Sequence, residues 1–104
     1  MILYEVNLRV QPEILPEFRS WLTEHVREML GFAGFETVEI FESEDSGELV
    51  CCYRIKDRRS LKDYLDQHAP RMRQAGLARF GEKFAATRRR ILKSSEKQGF
   101  PVSA

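Results

Sequence analysis

The sequence predicts an α+β domain with one four-stranded antiparallel sheet and two helices on one of its faces. Three observations carry this expectation. Apolar residues alternate with period two in four segments and recur at helical spacing in two, in the order β-α-β-β-α-β. Each helical segment has one apolar stripe, enough to cover one face of a sheet. The chain has 104 residues, a length that suits one domain. Such a domain buries roughly 65% of its unfolded surface, so it needs no metal or disulfide staple.

The first strand covers residues 2–10, with Ile2, Tyr4, Val6, Leu8 and Val10 on one face and Glu5, Asn7 and Arg9 on the other. Gln11-Pro12 ends it. A helix over 13–30 follows, its stripe built from Ile14, Phe18, Leu22, Val26 and Met29 with Trp21. Pro16 lies in its first turn, where a missing N–H does little harm, and Gly31 and Gly34 stop it. The second strand runs over 35–42 and returns through the polar turn 43–47 into a third over 49–55. Ser60 is read as the N-cap of the second helix, with Asp63 at the capping-box position. That helix runs through Leu61, Tyr64, Leu65 and His68 until Pro70 breaks it, and a second piece covers 71–80. The last strand spans 84–92. Residues 93–104 read as a flexible C-terminal tail beyond a domain of residues 1–92.

This order implies the ferredoxin-like arrangement, with strands in the spatial order 4-1-3-2. The sheet face away from the helices would then show Leu3, Val50, Cys52 and Ile91 among Glu5, Asn7, Arg9, Arg54 and Arg89. An apolar centre with a charged rim suits a partner, and a second copy of the chain is the expected one.

Net charge is +1, yet residues 1–53 hold three Arg and eleven Asp/Glu, whereas residues 54–104 hold fourteen Lys/Arg and five Asp/Glu. The halves therefore carry −8 and +9. Interleaved halves would neutralise one another. Glu36, Glu39 and Glu42 on the second strand could also meet Arg88, Arg89 and Arg90 on the fourth across a two-fold axis. Nucleic acid is not an expected partner: the three arginines alternate between faces and no aromatics interleave with them. No apolar run approaches a membrane span and no leader pattern opens the chain, so a cytoplasmic location is expected. Cys51 and Cys52 point to opposite faces and should not pair, which suits a reducing compartment.

Four segments carry a family resemblance: the strand 2–10, Trp21-Leu22-Thr23-Glu24-His25-Val26-Arg27-Glu28-Met29-Leu30, Tyr64-Leu65-Asp66-Gln67-His68-Ala69-Pro70, and Arg79-Phe80-Gly81-Glu82-Lys83-Phe84. Together they resemble a small, mostly bacterial family catalogued only as a domain of unknown function, within the dimeric α/β-barrel superfamily. The resemblance covers residues 1–92 and is most specific in His-Ala-Pro and Arg-Phe-Gly-Glu-Lys-Phe. It implies the fold and dimerisation, and no reaction. The wider superfamily includes cofactor-free monooxygenases, haem-degrading enzymes and muconolactone isomerases, which hold their ligand between sheet and helices; that likeness concerns fold alone.

The chemistry-bearing candidates are the two histidines. Counted at about 100° per residue, His25 falls within the apolar stripe between Trp21 and Met29, and His68 holds the same place beside Leu65. Both should point at the sheet and line one cavity near Tyr4 or Tyr53, where imidazoles can serve as acid or base. The structural reading is that each is a core histidine bonded to a backbone carbonyl or to one of those tyrosines. Cys51, on the inward strand face, could approach both, but the spacing matches no metal motif and a buried thiol is the expected role. No metal or cofactor is implied. Two classes of function remain: a dimeric protein binding or transforming a small organic ligand, with His25 and His68 as catalytic candidates and Tyr4, Tyr53 and Trp21 as ligand contacts, or a non-enzymatic dimeric regulatory or assembly module without a ligand site.

Overall fold

The structure, a computed structural model, describes residues 1–45 and 47–92. The expected tail over 93–104 lies outside the described residues. The elements are β1 (Ile2–Val10), α1 (Leu15–Met29), β2 (Phe35–Glu42), β3 (Glu48–Ile55), α2 (Arg58–Gln67), α3 (Ala69–Phe80) and β4 (Phe84–Leu92), with short 3-10 turns before α1 and before β4. The strands form one antiparallel sheet in the order β2-β3-β1-β4, the expected arrangement.

Alternation decides which side chains reach the core. Ile2, Tyr4, Leu8 and Val10 of β1, with Leu49, Cys51, Tyr53 and Ile55 of β3, are buried beneath the helices. Leu3, Val50, Cys52 and Ile91 lie half-buried on the opposite face. Phe41 joins them there at 54% exposure, opposite Val50. Phe18 is fully buried, with ring centroids 5.5 Å from Trp21, 5.1 Å from Phe80 and 5.2 Å from Phe84. Removing such a ring costs about 3–5 kcal/mol. A second aromatic group gathers Phe35, Tyr53, Tyr64 and Phe32, with Phe35 and Tyr64 centroids 5.1 Å apart.

Several expectations are corrected. Pro12–Ile14 forms a 3-10 turn, so α1 begins at Leu15, two residues late, with Pro16 in its first turn. The N-cap of α2 is Asp57, three residues before Ser60: its carboxylate accepts from the Ser60 backbone N–H and hydroxyl, each at 2.8 Å. Either residue type can cap, and the carboxylate prevailed because the chain leaves β3 already extended at Asp57 (φ −155°, ψ 172°). Trp21 and Leu65 are only partly buried, whereas Tyr64, one position from Leu65, is buried. Gly34 has φ +85°, and its carbonyl accepts from Lys56 N–H at 2.8 Å, tying the end of the α1–β2 loop to the start of α2.

The charge halves do interleave. Arg71 pairs with Glu28 at 3.1 Å, Arg79 with Glu17 at 3.1 Å and Arg89 with Glu5 at 3.0 Å, each joining the basic half to the acidic one. The strands that carry Glu36, Glu39, Glu42 and Arg88, Arg89, Arg90 are the two opposite edges of the sheet, as expected, but part of each run is turned to other partners or to the other face. Glu42 is engaged by Arg19 of its own chain and Arg89 by Glu5, while pairing with β1 puts Arg88 and Arg90 on the helix side. Alternation along a strand splits any run of like charges between two faces.

Candidate functional site

A cavity of about 50 Å³ lies between α1, α3 and strands β1, β3 and β4, at the seam between the two aromatic groups. Trp21 and His25 reach it from α1. They stand one turn apart, and their rings stack at 4.6 Å between centroids, 23° from parallel. Tyr4 and Tyr53 are directly opposed on β1 and β3, with centroids 6.2 Å apart, and Tyr64 of α2 meets Tyr4 edge-on at 6.3 Å. Cys51 of β3 lies in the same wall. Arg73 of α3 and Arg88 of β4 complete the lining. Gly76 of α3 lets the walls close, since a Cβ there would stand 3.1 Å from both the Trp21 and Phe84 rings.

The surroundings favour the neutral forms of Cys51, Tyr53, Tyr64 and His25. Burial pushes the Cys51 thiol up to about 12. Burial does the same to the Tyr64 phenol, to about 12, and raises that of Tyr53 as well. Burial also holds His25 below the ordinary histidine value; the Glu28 carboxylate opposes this and the Arg88 guanidinium reinforces it. His25 is thus a neutral imidazole near pH 7, able to accept a proton. Positive charge enters only with the two arginines.

His68 is not in this cavity. It sits at the junction of α2 and α3 with φ −125°, and its ring stacks on Phe32 at 4.3 Å. The shared histidine cavity expected from helical phase is therefore not formed. Pro70 lies in the first turn of α3, and the break it imposes takes His68 out of the helical register on which that phase depended. In place of the expected bond from each histidine to a backbone carbonyl or a tyrosine, both imidazoles stack on rings, His25 on Trp21 and His68 on Phe32. Among the described residues no group of three His, Cys, Asp or Glu side chains is disposed to hold a metal.

Sequence reasoning missed Tyr64, Arg73, Gly76 and Arg88. Tyr64 was findable, three residues after Leu61 on the same helical face. Arg88 faces inward by the alternation that puts Val6 opposite it. Nothing local marked Arg73 or Gly76.

The fold recurs among solved structures. One is Rv0793 from Mycobacterium tuberculosis, 20% identical, covering 93% of this chain and 98% of that one, with a TM-score of 0.71. A protein of Deinococcus radiodurans named as a candidate antibiotic biosynthesis monooxygenase is 12% identical over 97% and 100% of the two chains, with a TM-score of 0.76. SnoaB, a cofactor-independent oxygenase from Streptomyces nogalater, is 12% identical over 94% and 97%, with a TM-score of 0.71. At these identities the likeness is one of fold. No curated protein matches the sequence. A family profile does, across residues 1–94, and the chain belongs to that family, the domain of unknown function DUF4286.

Proposed function

We propose that the protein is a homodimer that binds a small organic ligand in the cavity between the sheet and helices α1 and α3. Tyr4, Tyr53 and Trp21 contact the ligand, and His25 is the group that exchanges a proton with it. The observation that carries this reading is convergence: an aromatic-walled cavity collects one neutral imidazole and the Tyr4 hydroxyl from separate elements. It shares Tyr4, Arg73 and Arg88 with a neighbouring groove of about 400 Å³. Organic ligands occupy roughly 300–1,000 Å³, so the inner cavity is a closed form that must widen, with partly exposed Trp21 and His25 as its movable wall. The dimer is supported by the open sheet face, where Val50 and Cys52 surround the exposed Phe41.

Trp21 is the sole tryptophan, so its indole resonance reports directly on the cavity. Titrating a panel of small aromatic and aliphatic molecules should shift it saturably, and His25→Phe should weaken that binding while the melting temperature holds. A panel without one saturable shift would sink the reading.

A second reading has an observation of its own. The cavity is small, and among the described residues no buried side-chain polar atom lacks a partner. A filled core suits a non-enzymatic dimeric module whose working surface is its exterior. That reading expects no binding by any member of the panel.

A further inference from the structure

We propose that Arg73 and Arg88 form an anion-recognising pair at the mouth of the cavity, selecting ligands with a carboxylate on a small apolar body. This rests on reading the cavity as a ligand site, and adds the chemical class of the ligand.

Three residues line both the inner cavity and the outer groove: Tyr4, Arg73 and Arg88. They form the boundary between the two. Arg73 Nη2 donates to the Tyr4 hydroxyl at 3.2 Å, which holds one edge of the guanidinium in place. With its oxygen accepting from Arg73, the Tyr4 hydroxyl keeps its own proton to donate. Arg88 comes from a different element, β4, where alternation turns it toward the helices. A carboxylate at this boundary would therefore meet two guanidinium forks and one phenol O–H.

The charge pattern separates Arg73, Arg88 and Arg90 from the other arginines of α3 and β4, and of these three only Arg73 and Arg88 also line the inner cavity. On α3, Arg71 pairs with Glu28 and Arg79 with Glu17; on β4, Arg89 pairs with Glu5. Arg73 and Arg88 sit on the same two elements, yet among the described residues no carboxylate lies within ion-pair distance of either. Instead both border the same two spaces, and burial, reinforced by the charge of Arg73, disfavours the Arg88 cation. Two like charges beside an apolar cavity are stabilised by an anion between them. Arg90 adds a third cation to the outer groove.

The body of the ligand follows from what lies behind this boundary. Trp21, Tyr53 and Tyr64 offer ring faces and edges, and the groove outside has Leu65 in its floor. This suits a carboxylate with an apolar or aromatic group better than a bare inorganic anion. The planar fork of arginine matches the two oxygens of a carboxylate.

The test follows the Trp21 indole resonance of the full chain at low salt, titrated with benzoate, benzamide and inorganic phosphate. Benzoate should shift it saturably, with benzamide at least tenfold weaker. Arg88→Met should weaken benzoate about tenfold or more and leave benzamide unchanged, and Arg73→Met should do the same. Arg59→Met, on the exposed side of α2, should change neither. Raising salt should weaken benzoate selectively. Melting temperatures and far-ultraviolet circular dichroism establish that each variant is folded. Should either arginine variant fail to fold, the other carries the comparison. Benzamide binding as tightly as benzoate would overturn the anion pair and leave the ligand site standing. Benzoate affinity unaffected by either folded arginine variant would do the same. Phosphate binding as tightly as benzoate would overturn the organic class. If neither benzoate nor benzamide binds while another member of the panel does, this inference fails and the ligand site stands; if no member binds, both fail.

Discussion

Arg73 of α3 donates a hydrogen bond to the hydroxyl of Tyr4, a residue 69 positions earlier in the central strand β1, at 3.2 Å. The bond links a solvent-exposed guanidinium to a phenol ring that is only 3% exposed. It ties the helical layer to the inward face of the sheet through polar atoms.

Replacing Tyr4 with phenylalanine keeps the ring packing and removes the acceptor. The variant should lose about 0.5–1.5 kcal/mol in chemical denaturation, the usual worth of one such bond. It should also weaken benzoate relative to benzamide, because Arg73 loses its orientation and the ligand loses a donor. A variant that loses stability with the benzoate preference intact would confine the hydrogen bond to a structural role.

His25→Phe should flatten the acid side of the stability profile. The folded protein holds this imidazole below its ordinary value near 6.5, chiefly by burial. The unfolded chain therefore binds more protons between the two values, and stability rises with pH across that window. His25 contributes a loss as pH falls from about 6.5 toward the folded value. Glu28 on its own helix, Arg88 on β4 and the phenols of Tyr4 and Tyr53 face it, and of these only Glu28 favours the charged form. Phenylalanine keeps the stack on Trp21 and has no proton to bind. Thermal melts from pH 5 to pH 8 should show a shallower slope in the variant than in the natural chain.

Gly34→Ala should destabilise strongly for a single methyl. The residue has φ +85°, and a Cβ would stand 2.1 Å from the Ser60 hydroxyl oxygen. That hydroxyl is held by the Asp57 carboxylate at 2.8 Å, so it cannot retreat without loosening the start of α2. A loss of about 2 kcal/mol or more is expected in urea unfolding. Gly81→Ala separates backbone strain from collision: nothing lies within 4 Å of a Cβ there, but φ +57° with ψ −131° lies outside the left-handed region open to L side chains, so this variant too should destabilise, through the backbone alone.

Sedimentation at low micromolar concentration should show a dimer, and Val50→Glu, which places a charge at the centre of the open face, should give a folded monomer. Arg89→Glu with Arg90→Glu should weaken assembly, since Arg89 lies on the open face and its loss leaves two acids, Glu5 and the new residue, side by side there; unchanged assembly would remove charge from the interface and leave the apolar centre. A natural chain that sediments as a monomer in moderate salt would remove the dimer from the proposed function.

Much of the fold was legible because the signals that encode it are local. The alternation in 2–10 and the stripe through Phe18, Leu22 and Val26 each need only a few neighbouring residues to be read, and β1, β2 and β4 begin and end where expected. Helix starts were less legible. Asp57 and Ser60 are both capping residues three positions apart, and the choice depended on how the chain leaves β3. His25 was placed on the inward side of α1 by periodicity alone. His68 was misplaced because periodicity holds only while the helix is continuous, and the chain re-forms as α3 at Ala69.

By itself the sequence determined the class of fold, the strand order and which half of each strand faces the helices, since side-chain periods of 2.0 and 3.6 are properties of the backbone. Tertiary structure alone decided the membership of the cavity. Tyr4, His25, Tyr64, Arg73 and Arg88 come from five elements, and whether they meet depends on helix position and crossing, to which sequence periodicity is blind. It likewise decided which arginines are neutralised. Arg71 and Arg73 look alike in the chain, but a carboxylate of α1 lies within reach of one and the Tyr4 hydroxyl within reach of the other. A charge finds its partner through space, and packing brings those groups together.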